Sequence, residues 1–496
     1  MEKRLAALFS VLLVAVLVLS ACAAAEPAPG DETPEAPAGE VTPAETPGEP
    51  AETPEEPAET PGETPMADET PEATPTTGDG EAAGEGEFEG ERVSVLAVWG
   101  GAELESFRAM VAPWEERTGA VMDYEGTRDI NAVLITRIEG GNPPDIAGVP
   151  GPGQLIEFAQ QGQMIPLSDF MDVDQLAERY DRSWLDLASF EDELYGIFMK
   201  STVKSLVWYR PDVFEEAGYE VPQTWDEMIA LSDQIIADGG TPWCIGLEAG
   251  AATGWPATDW IEDIMLRSAG PDVYDQWWRH EIPWTDESIQ NAWEMFGTIA
   301  TNEQYVEGGT VNVLATNFGE SPYPMFEDPP GCYMHRQASF ITDFIQEQFP
   351  DLEPGVDYTF FPFPEIDPEF GVPALSAGDL IGMFNDTPAA RSLMEWLASA
   401  EAQTIWAERG GFLSANNEVS PDVYPDDIHR QMAEILQEAE VVRFDASDLM
   451  PTAVNDAFLG GVLEYIQNPD TLPTILQNID QAAQQAEQEE GTQTGQ

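Results

Sequence analysis

Lysine is almost missing from this chain. Of 496 residues only Lys3, Lys200 and Lys204 are lysines, and Lys and Arg together number 19 against 93 Asp and Glu, a formal net charge of −74. A surface this acidic repels phosphate backbones and anionic headgroups, which excludes nucleic-acid binding and charge-driven membrane docking. Neither Lys200 nor Lys204 follows a glycine, so there is no Gly-Lys phosphate loop. The histidines, His280, His335 and His429, are scattered, without a His-Glu-x-x-His run, so no clustered zinc motif exists. A Gly-x-Ser-x-Gly nucleophile elbow is absent too. The expectation is a protein without metal or cofactor. What the chain does have is 42% hydrophobic residues, with 14 Trp and 22 Phe. That demands a large core, and the length suits two or three domains.

The chain divides into three pieces. Residues 1–22 carry Lys3 and Arg4, an apolar run over 5–19, and Leu19-Ser20-Ala21-Cys22, the pattern of a secretory signal. Its end matches the lipobox of bacterial lipoproteins, which makes Cys22 the lipidated first residue of the mature protein. The alternative is an ordinary signal peptide with an incidental cysteine. Residues 23–91 hold 21 acids, 13 prolines, no Lys or Arg and one aromatic, Phe88. Such a segment buries too little surface to fold and reads as a disordered acidic tether. At about 3.1 Å per residue its reach is on the order of 200 Å at most. Residues 92–496 are the folded body, with 71 acids against 17 Lys and Arg.

The body opens with a β-rich run, 92–99. Leu104, Phe107, Met110, Val111 and Trp114 then recur at helical spacing up to Gly119. A strand from Val121, a helix around 129–139 and a strand at 145–149 follow. This alternation predicts a parallel sheet covered on both faces. Ligands of such sheets sit beyond the carboxyl ends of the strands, and this expectation puts Trp99, Glu103 and Asp145 near one rim. Further on, Thr224 and Glu227 form a capping box ahead of a helix that stops at Gly239-Gly240. A long helix is expected from Thr387-Pro388 to Gly410-Gly411. Between them, residues 241–293 hold half of the tryptophans. Core packing explains any one of these, while the Trp-Pro and Thr-Asp-Trp contexts suggest loops in which some line a surface.

The stretches 95–103 (Val-Leu-Ala-Val-Trp-Gly-Gly-Ala-Glu), 142–147 (Asn-Pro-Pro-Asp-Ile-Ala), 204–210 (Lys-Ser-Leu-Val-Trp-Tyr-Arg) and 222–228 (Pro-Gln-Thr-Trp-Asp-Glu-Met) occur in this order. Thr-Pro-Trp-Cys-Ile-Gly (241–246), Gly-Trp-Pro-Ala-Thr-Asp-Trp (254–260) and His-Arg-Gln-Ala-Ser-Phe (335–340) follow. Over nearly all of 93–485 the body resembles the extracellular solute-binding proteins of ABC carbohydrate importers, particularly those for α-glucosides and maltose-like oligosaccharides. The resemblance implies an α/β, two-lobed periplasmic-binding-protein-like fold (class II) that closes by a hinge. Lobe one is expected from 92–205 plus 373–412 and lobe two from 206–372 plus 413–485, with crossings at 203–209 and 358–375. Residues 486–496 read as a disordered tail. The implied partners are an oligosaccharide and the permease subunits of the importer. The expected state is a monomer outside the cytoplasm, held at the outer face of the membrane by its lipid anchor alone.

A sugar offers hydroxyls and apolar C–H faces, so its site needs carboxylates, cationic donors and aromatic rings. On family positions, Trp99 and Glu103 fall in the loop after the first strand. Asp145 either contacts ligand or fixes its own loop. Glu248 and Trp255 form the principal acid–aromatic pair, with Asp259 and Trp260 beside them. Arg336 faces the ligand or neutralises nearby acids, and Lys204 is a ligand donor or a hinge ion-pair partner. Asp379 and the backbone N–H of Gly411 complete the set, while Trp225 is assigned to the core. No catalytic residue is expected. A secreted glycoside hydrolase using paired carboxylates is the alternative function, and a surface adhesin on a proline stalk is a third.

Cys244 and Cys332 remain after Cys22. In an exported protein two leftover cysteines read as a disulfide, with two buried thiols as the alternative. Closing so long a loop contributes roughly 4–5 kcal/mol in the chain-entropy picture. Thiol titration of the denatured, non-reduced mature protein is expected to find no free thiol from this pair.

Overall fold

A near-continuous apolar run sets the first sheet. The computed structural model describes residues 86–493. In it Val93, Val95, Leu96 and Ala97 are buried on both faces of β1 (Arg92–Ala97), as a covered parallel strand requires. β1 is flanked by β2 (Val121–Gly126) and β3 (Ile146–Val149), both parallel to it. The expected helices lie between them, Gly101–Thr118 and Ile130–Glu139. The first buries Phe107, Met110, Val111 and Trp114 and ends where Gly119 turns left-handed, φ 76°. A short hairpin, β4 (Ser189–Phe190) with β5 (Glu193–Leu194), precedes the long buried strand β6 (Gly196–Val203).

The second sheet is antiparallel. β7 (Leu206–Tyr209) lies between β8 (Met334–Arg336) and β9 (Thr359–Pro362). The chain then returns to the first sheet as β10 (Ala374–Met383), antiparallel to both β3 and β6, and β11 (Val442–Phe444) pairs parallel to the start of β10. The fold is thus α/β with two lobes, and its apolar residues gather into two cores. The chain passes between them side by side. Lys204 N–H donates to the Leu375 carbonyl at 2.8 Å, Leu375 N–H to Ser205 Oγ at 2.9 Å, and Asp445 N–H to the Ser376 carbonyl at 2.8 Å.

The capping box forms as expected, with Thr224 and Glu227 satisfying each other's backbone N–H at the head of the Trp225–Ala237 helix. Trp225 is buried in the second core. The helix expected between Pro388 and Gly410 is broken in two, Pro388–Leu397 and Ala400–Ala407. Ser399 is the cause: its extended backbone and its hydroxyl, accepting from Ala402 N–H, make it a new N-cap. Residues 413–444, expected in lobe two, contribute Leu413, Tyr424, Ile428 and Met432 to the first core. The change of side comes at Asp445, after β11, and Ala446 and Val454 belong to the second core. Cys244 and Cys332 are joined as a disulfide with Cα atoms 5.6 Å apart.

Both ends of the body extend further than composition implies. The Leu472–Gln493 helix runs into the stretch read as a disordered tail; Ile475, Leu476, Ile479 and Ala483 are buried at helical spacing. At the other end, residues 86–91 read as tether are part of the fold. Phe88 is buried in the first core, and Gly86, Phe88 and Gly90 N–H groups bond to the carbonyls of Arg117, Thr118 and Gly119, each at 2.9 Å. The signal segment, Cys22 and the rest of the tether lie outside the described residues. Among the described residues no helix is long and apolar enough to cross a membrane.

Phe88→Ala is expected to destabilise the body by about 3 kcal/mol, the cost of emptying a buried phenyl site. A denaturant-unfolding midpoint measures it; an unchanged midpoint means the turn contributes nothing to the core.

Candidate ligand-binding cleft

Three charged side chains converge beyond the carboxyl end of β1. Glu103, in the first turn of the Gly101–Thr118 helix, is buried against Lys200 of β6, their charged atoms in direct contact. Lys200 faces Asp379 across the β6–β10 pairing, and the register shifts immediately after Asp379. Such a bulge re-aims a side chain, and the Asp379 carboxylate lies 3.3 Å from the Lys200 ammonium. Arg128 reaches Glu103 at 3.4 Å. Burial opposes the charge on Glu103, but Lys200 and Arg128 outweigh it and hold the carboxyl below its usual range. Burial likewise opposes charge on Lys200, and Asp379 and Glu103 reverse that, so it stays an ammonium.

The facing wall is built around Lys204, at the first crossing. Its Nζ donates to Asp259 at 2.8 Å and Asp445 at 2.7 Å, and sits 5.0 Å from the centre of the Trp255 ring. Trp255 and Asp259 are one turn apart on the Trp255–Ser268 helix, so both face the same way. Burial raises the Asp259 carboxyl to about 7 against the pull of Lys204. Burial also acts on Asp445, but Lys204 and its hydrogen bonds win and hold it well below the usual range. Asp259, Glu262 and Asp445 bring carboxylate oxygens within 4.8 Å of one another, and the Lys204 ammonium already supplies the positive charge there.

Between the walls lies a cavity of about 800 Å³, of the size that holds a small ligand. Glu103, Lys200 and Asp379 line one side and Lys204, Trp255 and Asp259 the other. Trp255 is half-buried, with Phe318 at 5.1 Å and Phe340 at 5.9 Å between ring centres. The arrangement offers acceptors, donors and an aromatic face, the combination hydroxyl-rich rings need.

Five of the residues singled out from sequence thus meet in the cleft: Glu103, Lys204, Trp255, Asp259 and Asp379. The others do not. Trp99 is buried against Phe107 and Trp406, and its indole N–H donates to Asp379 at 2.6 Å, so it positions that carboxylate. Asp145 precedes β3, at the amino end of the strand and the opposite rim. It accepts from Ser94 N–H at 2.8 Å and Ser94 Oγ at 2.7 Å, fixing its own loop. Trp260 is core, packed on Trp243, Phe296 and Phe363. The Trp-Pro and Thr-Asp-Trp segments expected as loops are the first turns of a helix, with Pro256 near its start. Arg336 is buried away from the cavity, at 2.6 Å from Asp263 and 3.3 Å from Asp259, as a neutraliser of acids. The Gly411 N–H is taken by His429 Nε2 at 2.9 Å. With φ 64°, and with the Asp343 carboxylate where a Cβ would go, Gly411 is there for backbone reasons. Glu248 lies in an adjoining cavity, accepting from Asn317 Nδ2 at 2.8 Å.

Sequence reasoning missed Lys200, Arg128, Asp445, Phe318 and Phe340. Lys200 carried a signal, being one of two lysines in the body. Asp445 carried none, since its partner is 241 residues away.

Near Glu103, burial and then the Glu103 charge push the Asp343 carboxyl up to about 7, well above the usual carboxylate range. A raised acid stabilises the fold below its unfolded value and loses that contribution as pH rises through 7. Asp343→Asn, which mimics the protonated form, is expected to gain on the unaltered protein by roughly 2 kcal/mol between pH 5 and pH 8.5. Denaturation curves at both pH values test this; a constant difference contradicts it.

A family model for bacterial extracellular solute-binding proteins matches residues 100–404. The chain is 45% identical over 381 residues to the osmoprotective compounds-binding protein GgtB of Synechocystis, covering 77% of this chain and 90% of that protein. It is 40% identical to the alpha-glucosides-binding periplasmic protein AglE of Rhizobium meliloti, covering 77% and 84%. Among solved structures, the bacterial solute receptor AcbH superposes with a TM-score of 0.69 at 21% identity, over 80% of this chain and 99% of the receptor. That likeness concerns the fold. The family model is one of extracellular binding proteins, and AglE is named as periplasmic. A two-lobed fold with a polar, aromatic-walled cleft at the crossings, and relatives matched over most of their length, make this chain a member of the bacterial extracellular solute-binding protein family.

Proposed function

We propose that the chain is the receptor of an ABC importer for α-glucosides, capturing an uncharged oligosaccharide in the cleft and delivering it to the permease. The observation that carries this is the half-buried Trp255 ring beside Lys204 and Asp259, facing Glu103, Lys200 and Asp379 across the cavity. An aromatic face with fixed donors and acceptors matches a sugar's C–H face and its hydroxyls. Acids outnumber cations in the lining, which favours a neutral ligand over an acidic sugar. The relative named for α-glucosides supports the ligand class. Closure about the three crossings is the motion this architecture offers.

In this reading the protein performs no chemistry. The hydrolase alternative has no observation in its favour, since Glu103, Asp259 and Asp445 are paired to lysines and the relatives are named as binding proteins. Anchoring through Cys22, a long tether and a monomeric state belong to the same proposal.

Trp255→Ala is expected to weaken α-glucoside binding by about 1–3 kcal/mol, the scale of a lost aromatic anchor, with the melting temperature little changed. Calorimetric titration with maltose and sucrose, with product analysis, is the test. Unchanged affinity with a lower melting temperature makes Trp255 a core residue; turnover of either sugar overturns the receptor reading.

A further inference from the structure

The cleft does not end at Glu103. A second cavity of about 420 Å³ adjoins it, and Glu103, Arg128, Gly250, Phe318 and Phe344 line both. The shared wall is therefore largely side chain. Its movable member is Arg128, nearly half exposed, bonded to Glu103 at 3.4 Å and lying 5.5 Å over the Phe318 ring. A long, partly exposed ion pair is weak, so the guanidinium can turn aside, or donate to a ligand, at little loss.

Beyond it the chamber is built. Glu248 accepts from Gly250 N–H at 2.9 Å and from Asn317 Nδ2 at 2.8 Å, while Asn317 Oδ1 accepts from Gly319 N–H at 3.0 Å. These bonds fix one carboxylate at the wall with lone pairs to spare. Asp343 and Glu347 also line the chamber, and their carboxylates have no hydrogen-bond or ion-pair partner among the described residues. Phe318 and Phe344, 5.3 Å apart, supply an apolar edge. Uncommitted acceptors beside aromatic edges suit a hydroxylated ring, and even with Asp343 protonated three carboxylates against one guanidinium disfavour an anionic one.

We propose that this chamber is a second sugar subsite, holding the distal ring of an uncharged oligosaccharide whose leading rings rest at Trp255, the ligand passing beneath Arg128. The inference rests on the receptor reading and deepens it: the preferred ligand is longer than a disaccharide.

The test is calorimetric titration of the unaltered protein, Ala102→Phe and Asp343→Asn with two pairs of sugars, maltose with maltotriose and sucrose with raffinose. Ala102 lines the chamber and not the cleft, so the phenyl fills one space and leaves the other open. Asp343→Asn keeps the shape and removes an acceptor, and melting curves verify that both variants fold. In the pair that binds, each variant is expected to raise the trisaccharide Kd tenfold or more and to leave the disaccharide Kd within twofold. Trisaccharide affinity unchanged in both variants, or the two lengths weakened equally, overturns the subsite and leaves the receptor reading standing. Binding of none of the four sugars by the unaltered protein overturns both.

Discussion

The Lys204 ammonium, held between Asp259 and Asp445, is the interaction on which the arrangement depends. Lys204 lies on the first crossing and Asp445 on the third, while Asp259 comes from a helix of the second lobe. One buried cation thus ties together the strand exchange, the second core and the floor of the cleft. A buried ion pair of this kind contributes little net stability by itself, yet removing one partner leaves an uncompensated buried charge worth about 3–5 kcal/mol. That asymmetry makes the geometry specific: among the described residues the other lysine, Lys200, is committed to Glu103 and Asp379, so Lys204 alone meets Asp259 and Asp445. Arg336, neutralising Asp259 and Asp263 from behind, completes the balance.

A second principle is the division of labour among aromatic residues. Trp243, Trp260, Trp277, Trp284 and Trp293 are fully buried and give the second core its bulk, beside the buried charges of Asp259, Glu262, Asp263, Arg267 and Arg336. Trp255 differs because it opens a helix at the cleft, where packing covers only part of its ring. Trp99 shows a third use. It is buried, but its one polar atom aims Asp379 at Lys200, so a core residue sets the geometry of the site without touching the cavity. The packed aromatic walls and the buried lysine–carboxylate pairs are already ordered in the fold, which spares a bound sugar the entropy of ordering its own receptor.

Much of the fold was legible. The spacing of Phe107, Met110, Val111 and Trp114, the capping box at Thr224 and Glu227, and the alternating elements of 92–149 are local patterns that name their own structure. The misjudgements have local causes too. Ser399 broke a helix because capping competes with continuation. Phe88 was hidden by the acidic composition around it, and the last turns of the Leu472–Gln493 helix by the low-complexity Gln- and Glu-rich sequence after 485. Of the residues singled out from sequence, Glu103, Lys204, Trp255, Asp259 and Asp379 line the cavity and Glu248 lines the adjoining one, whereas Trp99, Asp145, Trp260, Arg336 and Gly411 lie off both.

Sequence alone determined the acid-to-base imbalance and the exclusions it carries, the α/β class and the family resemblance, because these reside in composition, periodicity and motif order. Only the tertiary structure decided which carboxylates meet a cation, which tryptophan lines the cleft, and that a second chamber adjoins it. Those are questions of distance between residues far apart in the chain. Asp445 and Lys204 come within hydrogen-bonding reach only after two lobes have folded around them.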